Sequence, residues 1–162
     1  IVVTRADRSF DQDELQSVLD ACEVSAPVLF SYHEMTGLHD LATGKPQAQR
    51  SLFNQKVGVF SALGKPVIFE DDVANAGANV VYTKRFGDHY RYTQADADQL
   101  VSEARAAGAD RLVTTEKDAV KLETLDFRGF PVSVVEIKVQ FEDEVGLKSL
   151  LLRTIVRKQG KY

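Results

Sequence analysis

The chain has 162 residues, of which 44% are hydrophobic and 27% are charged, with ten glycines and four prolines. This composition is typical of a globular domain with its own core, and it excludes collagen-like, low-complexity and mostly disordered proteins. The formal net charge of −4 argues against a nucleic-acid partner, because the domain has no excess of positive charge to hold a phosphate backbone. The one cysteine, Cys22, excludes an internal disulfide and a cysteine-based zinc site.

The first elements are predicted to form a β-α-β unit. Residues 1–4 have a buried-strand pattern without a polar lead-in, so we expect the chain to be a fragment of a longer protein. A helix follows, with Ser9 or Asp11 as its N-cap, and a second strand is predicted over residues 26–31. The apolar stripe of this helix predicts four core positions, which are Leu15, Val18, Leu19 and Cys22.

Residues 33–52 lose regular hydrophobic periodicity and carry turn signals, so we predict a linker in which only short extended pieces pair. Regular alternation returns after residue 53. The predicted strands there are residues 56–61, 80–83, 111–114 and 131–137, with helices between them, a short one at residues 116–125 and a last one from residue 142. Strands that alternate with helices predict a mainly parallel sheet with helices on both faces, a Rossmann-like three-layer α/β/α arrangement.

Ligands of such sheets bind at the carboxyl ends of the strands, where loops lead into helices. The loop at residues 61–66 is one of these, and its backbone N–H groups are suited to receive an anion. It does not match the phosphate-loop pattern G-x-x-x-x-G-K-[ST]. Gly58 and Gly64 are one residue too far apart, and Pro66 stands where a hydroxyl is needed.

The segment of residues 85–93 gathers a carboxylate, an imidazole, two phenols and two guanidinium groups before a capped helix. Polar groups at the carboxyl end of a strand indicate a site. We predict that His89 contacts a metal or a phosphate, with Asp88 holding its ring. The alternative stays open that Asp88 bonds within the turn and that His89 covers a surface.

Residues 114–118 follow a buried strand and begin a helix, so a hydroxyl at the N-cap and acids in the first turn are ordinary helix-start chemistry. Lys117 does not fit that explanation, because a cation is unfavourable at the positive end of a helix unless it reaches a phosphate or a carboxylate. Residues 4–7, which read Thr-Arg-Ala-Asp, resemble the T/N-K-x-D element that P-loop nucleotide hydrolases place near the nucleotide base.

Taken in chain order, several segments resemble the C-terminal half of the tetraacyldisaccharide 4′-kinase family. These segments are residues 4–7, 37–44, 60–66, 86–93, 114–118 and 135–144. The family usually has S-G-I-G-N-P where this chain has S-A-L-G-K-P, and often D-H-H where this chain has D-H-Y. Its Walker A loop, Asp-Asp-Gly-Phe-Gln segment and Pro-Leu-Arg-Glu segment lie upstream and are absent from these 162 residues.

The resemblance implies a kinase that uses ATP and Mg²⁺ to phosphorylate the 4′-hydroxyl of a lipid A precursor, tetraacyldisaccharide 1-phosphate, at the cytoplasmic face of the bacterial inner membrane. It implies that residues 1–32 are a remnant of the N-terminal P-loop domain, residues 33–52 a linker and residues 53–162 the C-terminal α/β domain. We therefore expect the missing P-loop domain as a partner, peripheral membrane association of the parent protein, and no kinase activity in the isolated chain.

The resemblance also implies which residues face the cofactor. His89 would approach Mg-ATP, as the metal-facing residue, from the closing side of the site. Asp88 would orient His89, and residues 115–118 would support it. The cofactor-binding residues implied are Thr4, Arg5, Asp7, Asp88, His89, Thr115, Glu116, Lys117 and Asp118. No catalytic residue is expected in this part of the parent chain.

Two alternatives come from other functional classes. The first is a non-catalytic docking or regulatory module for a lipid or protein partner, which would use the basic last helix. The basic residues of that helix are Lys148, Arg153, Arg157, Lys158 and Lys161. The second is an independent Rossmann-like nucleotide-binding domain that would use residues 61–66.

Overall fold

The computed structural model describes residues 1–6 and 11–159. The chain divides into two compact units, a first unit of residues 1–34 and 138–162 and a second unit of residues 35–137. In chain order the elements are β1 (Val2–Thr4), α1 (Gln12–Ala21), β2 (Leu29–Asp40), β3 (Pro46–Gln47), a 3-10 helix (Gln49–Leu52), β4 (Lys56–Ser61), α2 (Pro66–Asn75), β5 (Asn79–Arg85), α3 (Gln94–Ala106), β6 (Arg111–Thr115), α4 (Glu116–Ala119), β7 (Val132–Phe141) and α5 (Glu144–Gln159).

The second unit is built on a mainly parallel sheet with the strand order β2-β7-β6-β4-β5. Strand β4 pairs in parallel with β5 and β6, and β6 pairs in parallel with β7. Strand β2 runs antiparallel to β7, since the Leu41 N–H donates to the Val132 carbonyl while His39 contacts Glu136. The predicted fold class is confirmed, with an antiparallel strand at this side of the sheet.

The second unit has two cores, one on each face of its sheet. Neighbouring residues of β6 point to opposite faces, so that Leu112 packs in one core and Val113 in the other. Leu100 of α3 belongs to the first core, and Phe69 of α2 belongs to the second. Helices α2 and α3 therefore cover opposite faces, which is the predicted three-layer arrangement.

Local signals define the helix ends of the second unit. Thr93 and Asp96 form a capping box at the start of α3, and Pro66 is the first residue of α2. Gly77 and Gly108 follow the C-caps of α2 and α3 with φ of 89° and 75°. The positive φ of both residues accounts for the similar sequences at these two joints.

Several boundaries differ from the prediction, and the differences at α4 and β2 have clear physical reasons. Helix α4 ends at Ala119, and turns follow it to residue 124, because the apolar positions after Ala119 serve the connection back to β7. Residues 33–40 were predicted to form only short extended pieces, and this prediction was wrong because they continue β2. Hydrogen bonds to β7 hold this strand, so it needs no strict apolar alternation, and only Leu38 is buried among residues 35–40.

The first unit contains β1, which pairs in parallel with β2, and helices α1 and α5. Asp11 caps α1 by accepting hydrogen bonds from the N–H groups of Asp13 and Glu14. The other predicted cap, Ser9, lies outside the described residues. Helix α5 begins at Glu144 rather than at residue 142. None of the helices in the described ranges combines the length and the apolar character that a membrane span requires.

The predicted core face of α1 is only partly buried. Leu19 is 8% exposed, but Val18 is 53% exposed and Cys22 is exposed. The prediction that Cys22 is a core residue was wrong. Cys22 continues the apolar stripe of α1, but the C-terminal end of that stripe is exposed in the described chain.

The two helix-ending glycines offer a matched test of backbone strain. A Cβ at Gly77 would lie 2.5 Å from the Phe53 ring, whereas a Cβ at Gly108 would meet nothing within 4 Å. We expect Gly108→Ala to lower the free energy of unfolding by about 1 kcal/mol, because an alanine is strained at positive φ. Gly77→Ala should cost more, since Phe53 must also move. Urea denaturation of both variants measures the difference, and equal losses would contradict the contact with Phe53.

Candidate functional site

Three loops meet at one edge of the second unit, because the parallel strands β4, β5 and β6 end there. Counted with the element ends that flank them, the loops are residues 61–66, 86–93 and 115–119, and the last consists of the end of β6 and the single turn of α4. A hydrogen bond of 2.9 Å from the Phe86 N–H to the Ser61 carbonyl joins the first two. These loops carry the predicted residues from 88 to 118, so the structure brings this part of the predicted site together.

The loop after β5 presents Asp88 and His89 to solvent. The His89 side chain is 81% exposed, the Asp88 side chain is 47% exposed, and His89 adopts a φ of 60°. The His89 N–H donates to Asp88 Oδ1 at 3.1 Å. The ring Nε2 lies 3.6 Å from Asp88 Oδ2, which is longer than a hydrogen bond. Asp88 therefore fixes the backbone of the turn, and the imidazole lies beside that carboxylate with most of its surface exposed.

Lys117 connects this turn to the loop after β6. Its Nζ donates to Asp88 Oδ1 at 3.1 Å, and both side chains are 47% exposed. The hydrogen bond from Lys117 is the main cause that lowers the pKa of Asp88 below its ordinary value. The cation that helix-start chemistry did not explain thus has a carboxylate partner in the structure.

The remaining residues of this loop divide into buried and exposed ones. Asp118 is fully buried, and its Oδ2 accepts hydrogen bonds from the Ala62 N–H and the Thr115 hydroxyl, both at 3.0 Å. Thr115 is buried and caps α4 by accepting from the Asp118 N–H at 3.2 Å. Glu116 is exposed. Of these residues, Glu116 and Lys117 have their side chains at the surface.

Thr4 and Arg5, the other predicted cofactor-binding residues, belong to the first unit. Thr4 ends β1 opposite Ser31, and Arg5 follows it with a φ of 57°. Asp7 lies outside the described residues. Thr4 and Arg5 therefore belong to a different unit from the loops that carry residues 88–118.

Sequence reasoning missed the aromatic cluster that supports the loop after β5. The Phe86 ring lies 4.8 Å from the Tyr90 ring and 4.9 Å from the Tyr92 ring, and Tyr92 also packs edge-on against Phe60 at 5.9 Å. Burial, followed by the nearby charge of Asp118, raises the pKa of Tyr92 above its ordinary value. The spacing of Phe86, Tyr90 and Tyr92 could have indicated this cluster, because all three flank the predicted site.

The residue before this loop, Arg85, is also fixed by an ion pair. Arg85 donates two hydrogen bonds of 2.7 and 2.8 Å to the Glu70 carboxylate, which anchors the end of β5 to α2.

Within the described ranges, no three His, Cys, Asp or Glu side chains are grouped closely enough to hold a metal ion by themselves.

Comparisons with known proteins identify the family of the chain. Its residues 1–156 match the model of the tetraacyldisaccharide-1-P 4′-kinase family. A tetraacyldisaccharide 4′-kinase of Rhodospirillum rubrum is 39% identical over 111 residues, which are 68% of this chain and 32% of the relative. A tetraacyldisaccharide 4′-kinase of Syntrophus aciditrophicus is 27% identical over 128 residues, which are 79% of this chain and 34% of the relative.

A solved structure agrees in fold. The crystal structure of LpxK from Aquifex aeolicus in complex with ATP matches 94% of this chain and 50% of that chain, with a TM-score of 0.52 and 20% identity. The chain thus spans about one third of the length of the curated relatives described above. With its residues 1–156 matched by one family model, the chain belongs to the tetraacyldisaccharide-1-P 4′-kinase family.

Proposed function

We propose that this chain is the C-terminal part of a kinase that transfers the γ-phosphate of ATP to the 4′-hydroxyl of tetraacyldisaccharide 1-phosphate. Membership of the family supports this activity for the intact protein. The chain contains no G-x-x-x-x-G-K-[ST] segment, so the main phosphate-gripping loop would come from the rest of the parent protein, the P-loop domain.

The observation that carries the proposal is the convergence of His89, Asp88 and Lys117 at one edge of the sheet. The Lys117–Asp88 contact of 3.1 Å places a cation and a carboxylate beside an imidazole that is 81% exposed. Phosphoryl transfer depends on positioned charge more than on covalent chemistry of the protein. In this proposal the three side chains face Mg-ATP from the side opposite the phosphate loop, and closure around the donor excludes water.

The donor set fits a magnesium ion that is shared with the nucleotide. Mg²⁺ is usually held by one or two carboxylates together with substrate phosphates, rather than by a cage of protein groups alone. Asp88 offers one exposed carboxylate, and His89 lies next to it as the proposed metal-facing residue. When bound, the ion would neutralise charge on the phosphate oxygens. Asp88 would hold its turn, and Lys117 would keep a positive charge beside it.

The first unit contributes the other part of the proposal. We assign residues 1–32 to the nucleotide-binding domain of the parent, residues 33–52 to its linker and residues 53–162 to the C-terminal domain, with Thr4, Arg5 and Asp7 near the nucleotide base. The parallel pairing of β1 with β2 supports this, because it is the β-α-β connection of a doubly wound sheet. Residues 115–118 would support His89 from the neighbouring loop.

We also propose that the parent protein works at the cytoplasmic face of the inner membrane, as a peripheral protein that reaches a lipid substrate. Helix α5 supports a surface role of this kind. Leu152 and Val156 on it are 62% and 66% exposed, and the chain has no acidic residue after Glu144. Basic and apolar side chains on one helix are suited to an anionic lipid surface or to a protein partner.

The independent nucleotide-binding alternative is less well supported. It needs free backbone N–H groups in the loop of residues 61–66. The Ala62 N–H already donates to the buried Asp118 carboxylate at 3.0 Å. A phosphate would have to displace that contact, so we favour the assignment to a part of the kinase.

The role of His89 can be tested in the intact parent enzyme. We expect His89→Ala to lower turnover about 100-fold or more, because a positioned group that faces the transferring phosphate is lost. His39→Ala is the matched control, since His39 pairs with Glu136 on β2 and β7, and it should keep its turnover. Circular dichroism checks that both variants fold. Near-normal turnover of His89→Ala would count against the assigned role.

The Lys117–Asp88 pair gives a prediction for the pH dependence of the isolated chain. Lys117→Ala should raise the pKa of Asp88 toward its ordinary value of 3.8, measured by NMR titration of its carboxyl carbon. Because the pKa is lowered in the folded chain, the pair stabilises the fold above the ordinary carboxyl pKa, and this is lost as the pH falls through the lowered value. Lys56→Ala, at the other end of β4, is the control. An unchanged pKa of Asp88 in Lys117→Ala would refute the assignment.

The isolated chain should bind Mg-ATP weakly or undetectably and should transfer no phosphate, because phosphate gripping is assigned to the rest of the parent protein. Isothermal titration calorimetry with Mg-ATP measures the first point, and a radiolabelled phosphate assay with the lipid substrate measures the second. Tight binding at one site per chain would instead favour an independent nucleotide-binding domain.

A further inference from the structure

The carboxylate of Asp118 is the most enclosed charged group among the described residues of the second unit. It is fully buried, and its Oδ1 lies 3.2 Å from the Lys121 Nζ while its Oδ2 accepts from Ala62 and Thr115. A buried charge is costly unless ion pairs and hydrogen bonds compensate it. Besides burial, the Asp118 charge raises the pKa of the nearby Tyr92 hydroxyl. The partners that compensate the buried charge are Ala62, Thr115 and Lys121.

These partners come from two different loops. Thr115 is the last residue of β6 and Lys121 lies on the segment that follows it, whereas Ala62 is the first residue after β4. A single carboxylate thus joins the ends of two neighbouring strands. A hydrogen bond to a charged acceptor is among the stronger ones in a protein, so this link restrains the position of α4 against the loop of residues 61–66.

The link belongs to a closed ring of contacts between three loops. Ala62 donates to Asp118, Lys117 donates to Asp88, and the Phe86 N–H donates to Ser61. Lys117 directly precedes Asp118 in the chain, so the position of the buried carboxylate sets where the lysine side chain starts.

We propose that Asp118 is a positioning residue, which acts through Lys117 to orient the turn that carries Asp88 and His89. This inference rests on the proposed function of that turn. Asp118 does not itself meet the cofactor, because its side chain is fully buried and its oxygens are used by Ala62, Thr115 and Lys121.

A purely structural role would predict different behaviour. A buried carboxylate with only a structural role would affect the stability of the fold as a whole, because removing one member of a buried ion pair is destabilising. The ring of contacts predicts instead a local and directional effect, from Asp118 to Lys117 and from Lys117 to the turn.

Amide exchange and chemical shifts of the ¹⁵N-labelled 162-residue chain test the proposal without any nucleotide. In Asp118→Asn we expect the Ala62 amide to exchange about tenfold faster, because its hydrogen-bond acceptor is no longer charged and the bond is weaker. The Leu112 amide, which donates to the Pro131 carbonyl, reports global unfolding and should change much less. The Asp88 and His89 amide resonances should move as they do in Lys117→Ala.

The double variant makes the direction of the effect measurable. If Asp118 acts through Lys117, Asp118→Asn added to Lys117→Ala should move the Asp88 and His89 resonances no further. Asp126→Asn, which removes an exposed carboxylate of the same unit, is the control and should leave these resonances and the Ala62 exchange in place. Thr115→Val removes one partner of Asp118 and should act in the same direction if Asp118→Asn does not fold.

Two outcomes would overturn the proposal. One is unmoved Asp88 and His89 resonances in a folded Asp118→Asn or Thr115→Val chain, which would make the carboxylate structural only. The other is additive shifts in the double variant, which would separate Asp118 from Lys117. Both readouts are independent of turnover, so they stand apart from the His89→Ala test of the proposed function.

Discussion

The hydrogen bond from the Ala62 N–H to the Asp118 carboxylate is the interaction on which the site edge depends. It joins the ends of β4 and β6 inside the protein, where the carboxylate has no contact with water. Water competes little for a buried hydrogen bond, so this link is stronger than a similar bond at the surface. The exposed groups at this edge are thus arranged on a support that does not rearrange easily.

Much of the second unit follows from local sequence signals. The capping box of Thr93 and Asp96 and the glycines at residues 77 and 108 fix the ends of helices through short-range contacts. Consecutive small and apolar residues within β4 and β6, without regular alternation, indicate strands that are buried on both faces. The convergence of residues 88 and 117 also follows from the fold class, because parallel strands end at one edge. The 3.1 Å contact between them does not, since it depends on side-chain rotamers.

The features that the sequence did not indicate depend on distant partners. Residues 33–40 form a strand because β7, nearly a hundred residues later, supplies its hydrogen bonds, and His39 pairs with Glu136 across 97 positions. Hydrophobic periodicity is read within a short window of the chain, so it cannot indicate a partner strand that is distant in sequence. The prediction that Cys22 is buried was wrong for the opposite reason. The apolar stripe exists, but no described element covers its C-terminal end. The sequence also did not indicate that Asp118 is buried, because a threonine N-cap followed three residues later by an acid is a common pattern at the start of exposed helices.

The two carboxylates at the site edge differ in how readily they can change partners. Asp118 is fully buried, and removing it from its three partners would leave a charge without compensation. Asp88 and Lys117 are each 47% exposed, and an ion pair between such groups contributes little because water solvates both when they separate. A phosphate could therefore replace Asp88 as the partner of Lys117, and a metal ion could replace Lys117 as the partner of Asp88, at a small cost in free energy. Under the proposed function, the buried carboxylate keeps the geometry of the edge while the exposed pair exchanges its partners for those of the ligand.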